Sequence, residues 1–209
     1  MHIAIIGAGN IGRTLGAAWL RAGHDLRFGV REPDADSVRQ TRDHLGDRAR
    51  FVPIAEALAG AEVVVLALPG GAVDGFLAEY GSSLGGTTVV DAANRAFGGP
   101  GPGNSISAIR SSAGSSSLVG IIRAFNSVGW ENLAEPRFGA QTADMLYCAD
   151  AAARATAETL IADTGLRPVF VGDLDQVGLV DALTGLWAAL AYGQRRGRRL
   201  AFKILEAPS

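Results

Sequence analysis

The chain has 209 residues, enough for one domain with a sizeable buried core, or for one domain and a small addition. Its 19 Lys and Arg against 21 Asp and Glu give a net charge of -2 at pH 7, which disfavours nucleic acid as a partner. The chain has a single cysteine, Cys148, which excludes an intrachain disulfide and a cysteine-based metal site. We predict that Cys148 is a small buried hydrophobic residue. The 3 histidines do not have the spacing of metal ligands.

The chain begins with a strand pattern, a glycine-rich turn and a helix pattern in direct succession. Residues 2–6 are apolar and mostly β-branched, and they run into Gly7, Gly9 and Gly12, which have the spacing G-x-G-x-x-G. The first glycine of this pattern allows a sharp turn, the second allows a pyrophosphate to approach the backbone, and the third allows close helix–sheet packing. The free N–H groups of the helix start attract phosphates. We therefore predict a dinucleotide site at this turn.

Strand and helix patterns then alternate along the chain. We predict strands over 25–30, 50–52, 61–68, 87–91, 118–125, 144–148 and 168–171, and helices over 10–22, 35–45, 53–58, 73–80, 151–164 and 176–192. This alternation predicts an α/β fold, a Rossmann-type doubly wound and mostly parallel sheet with a small C-terminal helical part.

Three segments depart from the simple alternation. Residues 95–117 are rich in glycine, proline and serine and follow a strand, so we favour a lid over a disordered loop. The helix at 176–192 is apolar around most of its circumference, which indicates packing on the sheet and in a subunit interface. The basic cluster at 195–203 is either a solvated surface or a cradle for an anionic substrate tail.

The end of the second strand predicts which nucleotide binds. An NAD site carries Asp or Glu there to bind the ribose 2′-hydroxyl, whereas this chain has Gly29, Val30 and Arg31. A guanidinium binds a 2′-phosphate, so NADP is favoured over NAD. Glu32 leaves an alternative open, because it can pair with Arg31 or face the ribose itself.

The remaining site residues are predicted from the carboxyl ends of the other strands, where ligands bind in an open parallel sheet. Leu68 and Pro69 suit a wall beside the nicotinamide, and Asn94 and Asn126 are either amide hydrogen-bonding groups or turn-forming residues. Trp130 is either a platform for an aromatic substrate or an interface residue. The predicted cofactor-binding residues are Gly7, Ala8, Gly9, Asn10, Ile11, Gly12, Arg31, Leu68, Pro69 and Asn94, and the predicted substrate residues are Asn126, Ser127 and Trp130.

With these residues the chain resembles the NADPH-dependent reductases of the deazaflavin coenzyme F420, also called F420:NADP oxidoreductases, to which the N-terminal domain of the STEAP metalloreductases is related. The resemblance spans essentially the full length and rests on residues 7–12, 29–31, 68–69, 123–129, 165–168, 172–174, 179–184 and 202–205. The chain differs from the family at Val30, where a serine is usual, at Asn126, where a histidine occurs, and at Gly70 and 97–103, where bulkier segments are usual.

The resemblance implies a Rossmann domain with a small C-terminal part, usually dimeric, in which NADPH lies across the sheet and a deazaflavin stacks on the nicotinamide. The resemblance therefore implies that residues 8–11 bind the pyrophosphate and that Arg31 binds the 2′-phosphate. It also implies that Pro69 and residues 126–130 border the nicotinamide and the ring of the acceptor. We assign residues 1–148 to the NADP-binding domain and 149–209 to a substrate or dimerisation part.

The sequence contains no catalytic triad, no paired carboxylates, and no lysine or histidine at a strand end. This suits direct hydride transfer between two planar rings, in which positioning dominates. We therefore expect a cytoplasmic, homodimeric oxidoreductase without a membrane or nucleic-acid partner. We expect it to transfer hydride between NADP(H) and a small-molecule acceptor, coenzyme F420 or a flavin-like compound. Two alternatives stay open: an NADPH-dependent reductase of a small imine or carbonyl, and a non-catalytic NADPH-binding sensor.

Overall fold

The computed structural model describes residues 1–95, 103–113 and 118–207. Its strands are β1 (His2–Ile6), β2 (Asp25–Val30), β3 (Arg50–Pro53), β4 (Val63–Leu66), β5 (Thr88–Asp91), β6 (Gly120–Arg123), β7 (Arg137–Phe138), β8 (Gln141–Thr142), β9 (Asp144–Ala149) and β10 (Arg167–Gly172). Its α-helices are α1 (Asn10–Arg21), α2 (Asp36–Leu45), α3 (Ile54–Leu58), α4 (Val73–Tyr80), α5 (Ile106–Ala113), α6 (Trp130–Ala134), α7 (Arg154–Ala162) and α8 (Val177–Ala188).

The main sheet has 8 strands in the order β10-β9-β6-β5-β4-β1-β2-β3. The six strands from β3 to β6 in this order are parallel, and the strand order reverses between β1 and β4. A reversal of this kind leaves a crevice at the carboxyl ends of the two strands, where ligands bind. The predicted Rossmann-type α/β fold is confirmed.

Both faces of the sheet are covered, as the apolar strands require. Along β1, Ile3 and Ile5 pack into one hydrophobic cluster, while Ala4 and Ile6 pack into a second cluster on the opposite face. Successive side chains of a strand point to opposite faces, so two-sided burial selects a continuous apolar run rather than an alternating one. The core is therefore split into two layers by the sheet.

The C-terminal part extends the same sheet. β9 pairs antiparallel with β6, and β10 pairs parallel with β9, so the last strand lies beyond the predicted boundary at residue 148. The indole N–H of Trp19 on α1 donates to the carbonyl of Leu160 on α7 at 2.9 Å. The division into 1–148 and 149–209 stays a prediction, while the sheet itself is continuous across it.

Asp144 fastens the C-terminal tail to the sheet. Its buried carboxylate accepts two hydrogen bonds from Arg167, at 2.8 and 2.7 Å, one from Lys203 at 3.0 Å and one from the N–H of Ile204 at 2.7 Å. Burial would raise the pKa of Asp144, but these hydrogen bonds outweigh burial and lower the pKa. Lys203 of the predicted basic cluster therefore has a structural role, since it binds the carboxylate of Asp144.

Most predicted elements are present; β4, β5 and β6 are shorter than expected, and β3, β9 and β10 are longer. The strand predicted over 61–68 is β4, and the one over 118–125 is β6. Helix α6 and the β7–β8 hairpin were not predicted. The predicted lid at 95–117 lies partly outside the described residues, and its described helix, α5, buries Ile106 and Ile109 in the core. Cys148 is buried as predicted, and burial raises its pKa to about 11.

The long apolar helix continues beyond α8 as a π-helical turn, Ala189–Gly193. Val180 and Trp187 are buried, whereas Leu179 and Leu186 are 57% and 48% exposed. The helical stretch Leu174–Gly193 is long and apolar enough to cross a membrane, with a mean hydropathy of 1.2 over its most apolar 18 residues. In the structure 22% of those 18 residues are buried. One such helix is weak evidence for a membrane, but it does present an apolar face.

Candidate functional site

The glycine-rich turn between β1 and α1 has the geometry that a phosphate-binding turn requires. Gly7 has φ of 111°, and a Cβ at Gly7 would lie 2.5 Å from the carbonyl oxygen of Ala67. A Cβ at Gly12 would lie 2.1 Å from the carbonyl oxygen of Gly7. A Cβ at Gly9 would meet no atom within 4 Å. Gly7 and Gly12 are therefore needed by the turn itself, while Gly9 opens onto free space.

The start of α1 is prepared for an anion. Gly9 is the N-cap and supplies no side-chain cap, and the first turn contains no acidic residue. Its N–H groups are thus not satisfied by a cap, and their partial positive charge favours phosphate. The hydroxyl of Thr41 on α2 donates to the carbonyl oxygen of Ala8 at 2.8 Å. This hydrogen bond holds the glycine-rich turn against α2.

A first cavity of about 580 Å³ lies beside this turn, over β1 and β2. Its walls include Gly7, Ala8 and Leu68 from the predicted set, and Phe76 and Tyr80 from α4. Phe76 and Tyr80 stack with ring centroids 5.6 Å apart. An apolar and aromatic wall beside a phosphate-binding turn suits the adenosine half of a dinucleotide.

Arg31 lies on the wall of the first cavity, as predicted. Its side chain is exposed, and within the described part of the chain it has no ion-pair partner. Glu32 lines the same cavity and does not pair with Arg31. The guanidinium is therefore available to a ligand phosphate. Val30 is buried at 7% exposure, so it contributes packing at this point.

A second cavity of about 540 Å³ lies on the other side of the turn, over the ends of β4, β5 and β6. Leu68 lines both cavities, so they adjoin over the glycine-rich turn. Predicted residues on the walls of the second cavity are Gly9, Asn10, Ile11, Leu68, Pro69, Asn94, Asn126 and Trp130. Gly70 also lines it, but a Cβ there would lie 2.5 Å from the carbonyl oxygen of Asn94, so its small size serves chain packing.

Two predicted residues do not line either cavity. Gly12 lies beneath the turn, as its contact with Gly7 shows. Ser127 is 1% exposed and its hydroxyl lies 4.0 Å from the sulfur of Met145, in the core. Ser127 is therefore removed from the substrate set, because the chain turns its side chain inward after β6.

Asn94 and Asn126 form a pair at the floor of the second cavity. The amide of Asn94 donates to the backbone carbonyl of Asn126 at 2.9 Å, and the amide of Asn126 donates to Thr184 at 3.0 Å. The side-chain oxygens of both asparagines are buried and have no hydrogen-bond partner among the residues that the structure describes. Buried acceptors without partners are rare in folded proteins. These two oxygens are suited to accept N–H groups of a ligand such as a carboxamide.

A buried ion-pair network supports this floor. Arg123, which is fully buried at the end of β6, binds the carboxylate of Asp181 on α8 through two hydrogen bonds of 2.9 and 2.8 Å. It also donates to the carbonyl oxygens of Asp91, Ala93 and Gly103, at 3.1, 2.6 and 3.0 Å. The network thereby joins the ends of β5 and β6 to α8.

Asp91 is the second carboxylate of the network. Its side chain is fully buried and lies 3.3 Å from Arg123. Burial raises the pKa of Asp91, and the charge of Arg123 and the N–H groups of Ser105 and Ala93 partly offset that rise. Arg123 therefore opposes the effect of burial on this carboxyl group. Sequence reasoning missed this network, because Arg123 and Asp181 are far apart in the chain.

The far wall of the second cavity is aromatic and basic. Trp130, Trp187, Tyr192 and Arg198 line it. Arg198 donates to Glu131 at 2.5 and 3.0 Å, and hydrogen bonding to Arg198 lowers the pKa of Glu131 against the effect of burial, which would raise it. Trp130 was predicted as a substrate residue, and Arg198 belongs to the basic cluster for which a substrate cradle was one alternative, whereas Trp187 and Tyr192 were not predicted to be at the site.

The predicted basic cluster divides into structural and exposed members. Arg198 pairs with Glu131, and Arg199 donates to the carbonyl oxygens of Glu131 and Glu135 at 3.1 and 2.7 Å. Arg195 and Arg196 are exposed and follow the π-helical turn directly. The cluster is thus neither wholly a solvated surface nor wholly a substrate cradle.

Comparisons with known proteins agree with this geometry. Residues 2–95 match the family model described as NADP oxidoreductase, coenzyme F420-dependent. The structure is similar to that of a protein from Arthrobacter sp. FB24, described as a candidate F420-dependent NADP reductase, with a TM-score of 0.83 and 24% identity over 99% of this chain and 100% of that chain. The resemblance to the coenzyme F420-dependent NADP oxidoreductases is therefore confirmed, while the relation to the STEAP metalloreductases stays a prediction.

Other solved structures share the fold at lower similarity. A Streptomyces aurantiacus imine reductase gives a TM-score of 0.65 at 20% identity and covers 92% of this chain, which spans 64% of that enzyme. A pyrroline-5-carboxylate reductase from Coxiella burnetii gives 0.62 at 19% identity, covering 93% of this chain and 70% of that one. A search of curated proteins gave no match. The family match favours an enzyme over the sensor interpretation.

Proposed function

We propose an acceptor for this chain and a role for each of its two cavities. The chain is an NADP-dependent oxidoreductase, and its residues 2–95 match the model of the coenzyme F420-dependent family. The first cavity binds the adenosine end of NADPH, and the second cavity holds the nicotinamide beside the ring of a deazaflavin or flavin-like acceptor. The observation that carries this proposal is the pair of adjoining cavities on either side of the glycine-rich turn.

The residues at the turn fit a dinucleotide. Gly9 leaves free space where a pyrophosphate would approach, and the uncapped start of α1 supplies N–H groups to it. Arg31 is exposed and unpaired among the described residues at the adenosine end. The unpartnered oxygens of Asn94 and Asn126 suit the carboxamide of the nicotinamide. NADPH supplies the hydride when bound, and these groups bind and orient its two ends.

The second cavity suits a planar acceptor. Trp130 and Trp187 provide flat apolar surfaces on its far wall, and the Trp187 indole is fixed by a hydrogen bond of 2.7 Å to the carbonyl oxygen of Leu200. Fixed aromatic walls position a ring without further ordering cost, and positioning is the main requirement of hydride transfer. This supports a deazaflavin or flavin-like ring as the acceptor.

A second candidate, reduction of a small imine or carbonyl, is favoured by one observation. Such a reaction requires a proton donor near the nicotinamide, and Tyr192 places a hydroxyl on the wall of the second cavity. Solved relatives of this fold include an imine reductase and a pyrroline-5-carboxylate reductase. The same nucleotide site would serve either acceptor.

The nucleotide assignment is tested by titrating the purified protein with NADPH and NADH while following nicotinamide fluorescence. We expect NADPH to bind more tightly, and Arg31→Ala to weaken NADPH binding by about 10- to 150-fold, the worth of hydrogen bonds to a charged phosphate, while NADH is unaffected. Arg21→Ala, an exposed arginine at the other end of α1, is the matched control. Equal affinity of the wild type for both nucleotides would refute the assignment.

The acceptor is tested by mixing NADPH with coenzyme F420, FMN, FAD and 2-methyl-1-pyrroline in turn and following absorbance. Turnover with coenzyme F420 or a flavin supports the first proposal. Turnover with the imine alone supports the second. Absence of turnover with all four, in a protein that binds NADPH, contradicts both.

We also propose that the chain acts as a cytoplasmic homodimer. Leu179 and Leu186 expose an apolar face of α8 that the described part of the chain leaves uncovered. Covering it with the same face of a second copy removes apolar surface from water. The length and hydropathy of this helix make a membrane the competing partner, which a mass measurement in solution separates.

A further inference from the structure

The far wall of the second cavity contains a hydroxyl group whose hydrogen is not used within the described part of the chain. Among the described residues that line this cavity, Thr184 and Tyr192 carry a hydroxyl, and lysine, histidine and carboxylate side chains are absent. Thr184 donates its hydrogen to the backbone carbonyl of Asn126 at 3.2 Å. Tyr192 is therefore the remaining candidate for donating a proton into the cavity.

The partner of Tyr192 determines the direction of its hydrogen bond. Arg198 Nη1 lies within hydrogen-bond distance of the Tyr192 oxygen. A guanidinium has donors and no acceptor, so the Tyr192 oxygen must accept this hydrogen bond. Its own hydrogen is then free to point elsewhere, and no acceptor in the described residues binds it. The cavity that Tyr192 lines and the solvent are the two directions that remain for it.

The same arginine stabilises the group that is left after proton donation. A positive charge hydrogen-bonded to the phenol oxygen stabilises a phenolate. Arg198 is itself fixed by Glu131 through two hydrogen bonds, at 2.5 and 3.0 Å, so its position is set before an acceptor binds. Glu131, Arg198 and Tyr192 thus form a chain that ends at the cavity.

The π-helical turn brings Tyr192 to this position. Gln194 N–H donates to the carbonyl of Ala189 at 2.8 Å, five residues back, where an α-helix would bond four residues back. The wider turn lets Tyr192 pack edge-on against Trp187, with ring centroids 5.6 Å apart. π-Helical turns are frequent at functional sites. Tyr192 is 52% exposed, so its hydroxyl can regain a proton from water.

We infer that Tyr192 donates the proton that accompanies hydride transfer, an inference that rests on the proposed function. The acceptor gains a hydride from the reduced nicotinamide, at carbon in a deazaflavin, imine or carbonyl and at a ring nitrogen in a flavin, and it gains a proton at its conjugated nitrogen or oxygen from Tyr192. The O–H bond of Tyr192 breaks and an N–H or O–H bond of the acceptor forms. The acceptor is reduced by two electrons, NADPH is oxidised to NADP⁺, and water returns a proton to the phenolate.

Tyr192→Phe tests this role, because it removes the hydroxyl and keeps the ring against Trp187. In single turnovers of the full-length protein with NADPH and coenzyme F420, we expect the rate of reduction to fall about 10²–10⁴-fold, the usual contribution of a general acid. The affinity for NADPH and the melting temperature should stay unchanged. Wild-type turnover should be slower in D₂O.

A binding measurement without NADPH gives a second readout. The variant should bind oxidised coenzyme F420 about 2- to 12-fold more weakly, as expected for one lost hydrogen bond, measured by quenching of the fluorescence of coenzyme F420. Tyr147→Phe is the matched control, because Tyr147 lies outside both cavities and its hydroxyl donates to Glu158 at 2.9 Å; this variant should change neither the rate nor this affinity.

The outcomes separate the inference from the proposed function. Wild type and Tyr192→Phe with equal rates and equal affinities for coenzyme F420 would overturn the inference alone. If coenzyme F420 is not reduced, the same comparison is made with FMN or 2-methyl-1-pyrroline, whichever the wild type reduces. A wild type that binds NADPH and reduces none of these acceptors overturns the proposed function, and the inference with it.

Discussion

Replacing Arg123 by methionine should destabilise the protein more than any surface substitution of an arginine. Arg123 is fully buried, and its loss leaves the buried carboxylate of Asp91 without its cation. It also removes the donor from the carbonyl oxygens of Ala93 and Gly103. Breaking a buried ion pair from one side costs about 3–5 kcal/mol, more than a single lost hydrogen bond. We therefore expect a loss of about 3–5 kcal/mol in the free energy of unfolding.

The assay is urea unfolding followed by tryptophan fluorescence, with Arg110→Met as the control. Arg110 forms a single ion pair with Asp150 and its side chain is 48% exposed, so its loss should cost about 0–1 kcal/mol. A cost of Arg123→Met no greater than that of Arg110→Met would refute the reasoning.

The pH dependence of the same variant supplies an independent check. Burial already raises the pKa of Asp91 above its usual value of 3.8, and the charge of Arg123 opposes that rise. Without Arg123 the pKa of Asp91 rises further. A carboxyl group whose pKa is raised on folding contributes stability below its unfolded pKa, and this stability is lost as the pH rises through the folded pKa. The deficit of Arg123→Met should therefore grow as the pH rises from below 3.8 to alkaline values.

Three further predictions concern the turn, the tail and the apolar helix. Gly12→Ala should fail to fold, because its Cβ would lie 2.1 Å from the carbonyl oxygen of Gly7. Gly9→Ala should keep the melting temperature of the wild type, because its methyl group enters open space. The same methyl group lies at the expected phosphate position, so this variant should lose NADPH affinity. The lowered pKa of Asp144 stabilises the fold above the unfolded value of 3.8, and this stability is lost as pH falls through the folded pKa. Wild-type melting temperature should therefore drop in acid more steeply than that of Asp144→Asn; parallel curves would contradict this. Light scattering should show a dimer that Leu179→Glu with Leu186→Glu converts to monomer, and a monomeric wild type would remove the dimer proposal.

The sequence determined the fold and the nucleotide end of the site because both rest on local chemistry. The strand, the glycine turn and the helix start are contiguous in the first residues, and the packing limits at Gly7 and Gly12 arise within that segment and the neighbouring strand. Arg31 follows its strand directly, so its place beside the first cavity could be read from chain order. Apolar runs covered on both faces likewise specify a parallel sheet without reference to particular partners.

The reacting end of the site was decided by tertiary structure, because its groups come from distant parts of the chain. Arg123 meets Asp181 across 58 positions, and Arg198 meets Glu131 across 67, and neither spacing has a local signature. The inward turn of Ser127 and the placement of Tyr192 both depend on backbone geometry, a change of direction after β6 and a π-helical turn after α8. Local patterns specify which elements form. The packing of one element on another determines which side chains share a cavity, and with them the chemistry available there.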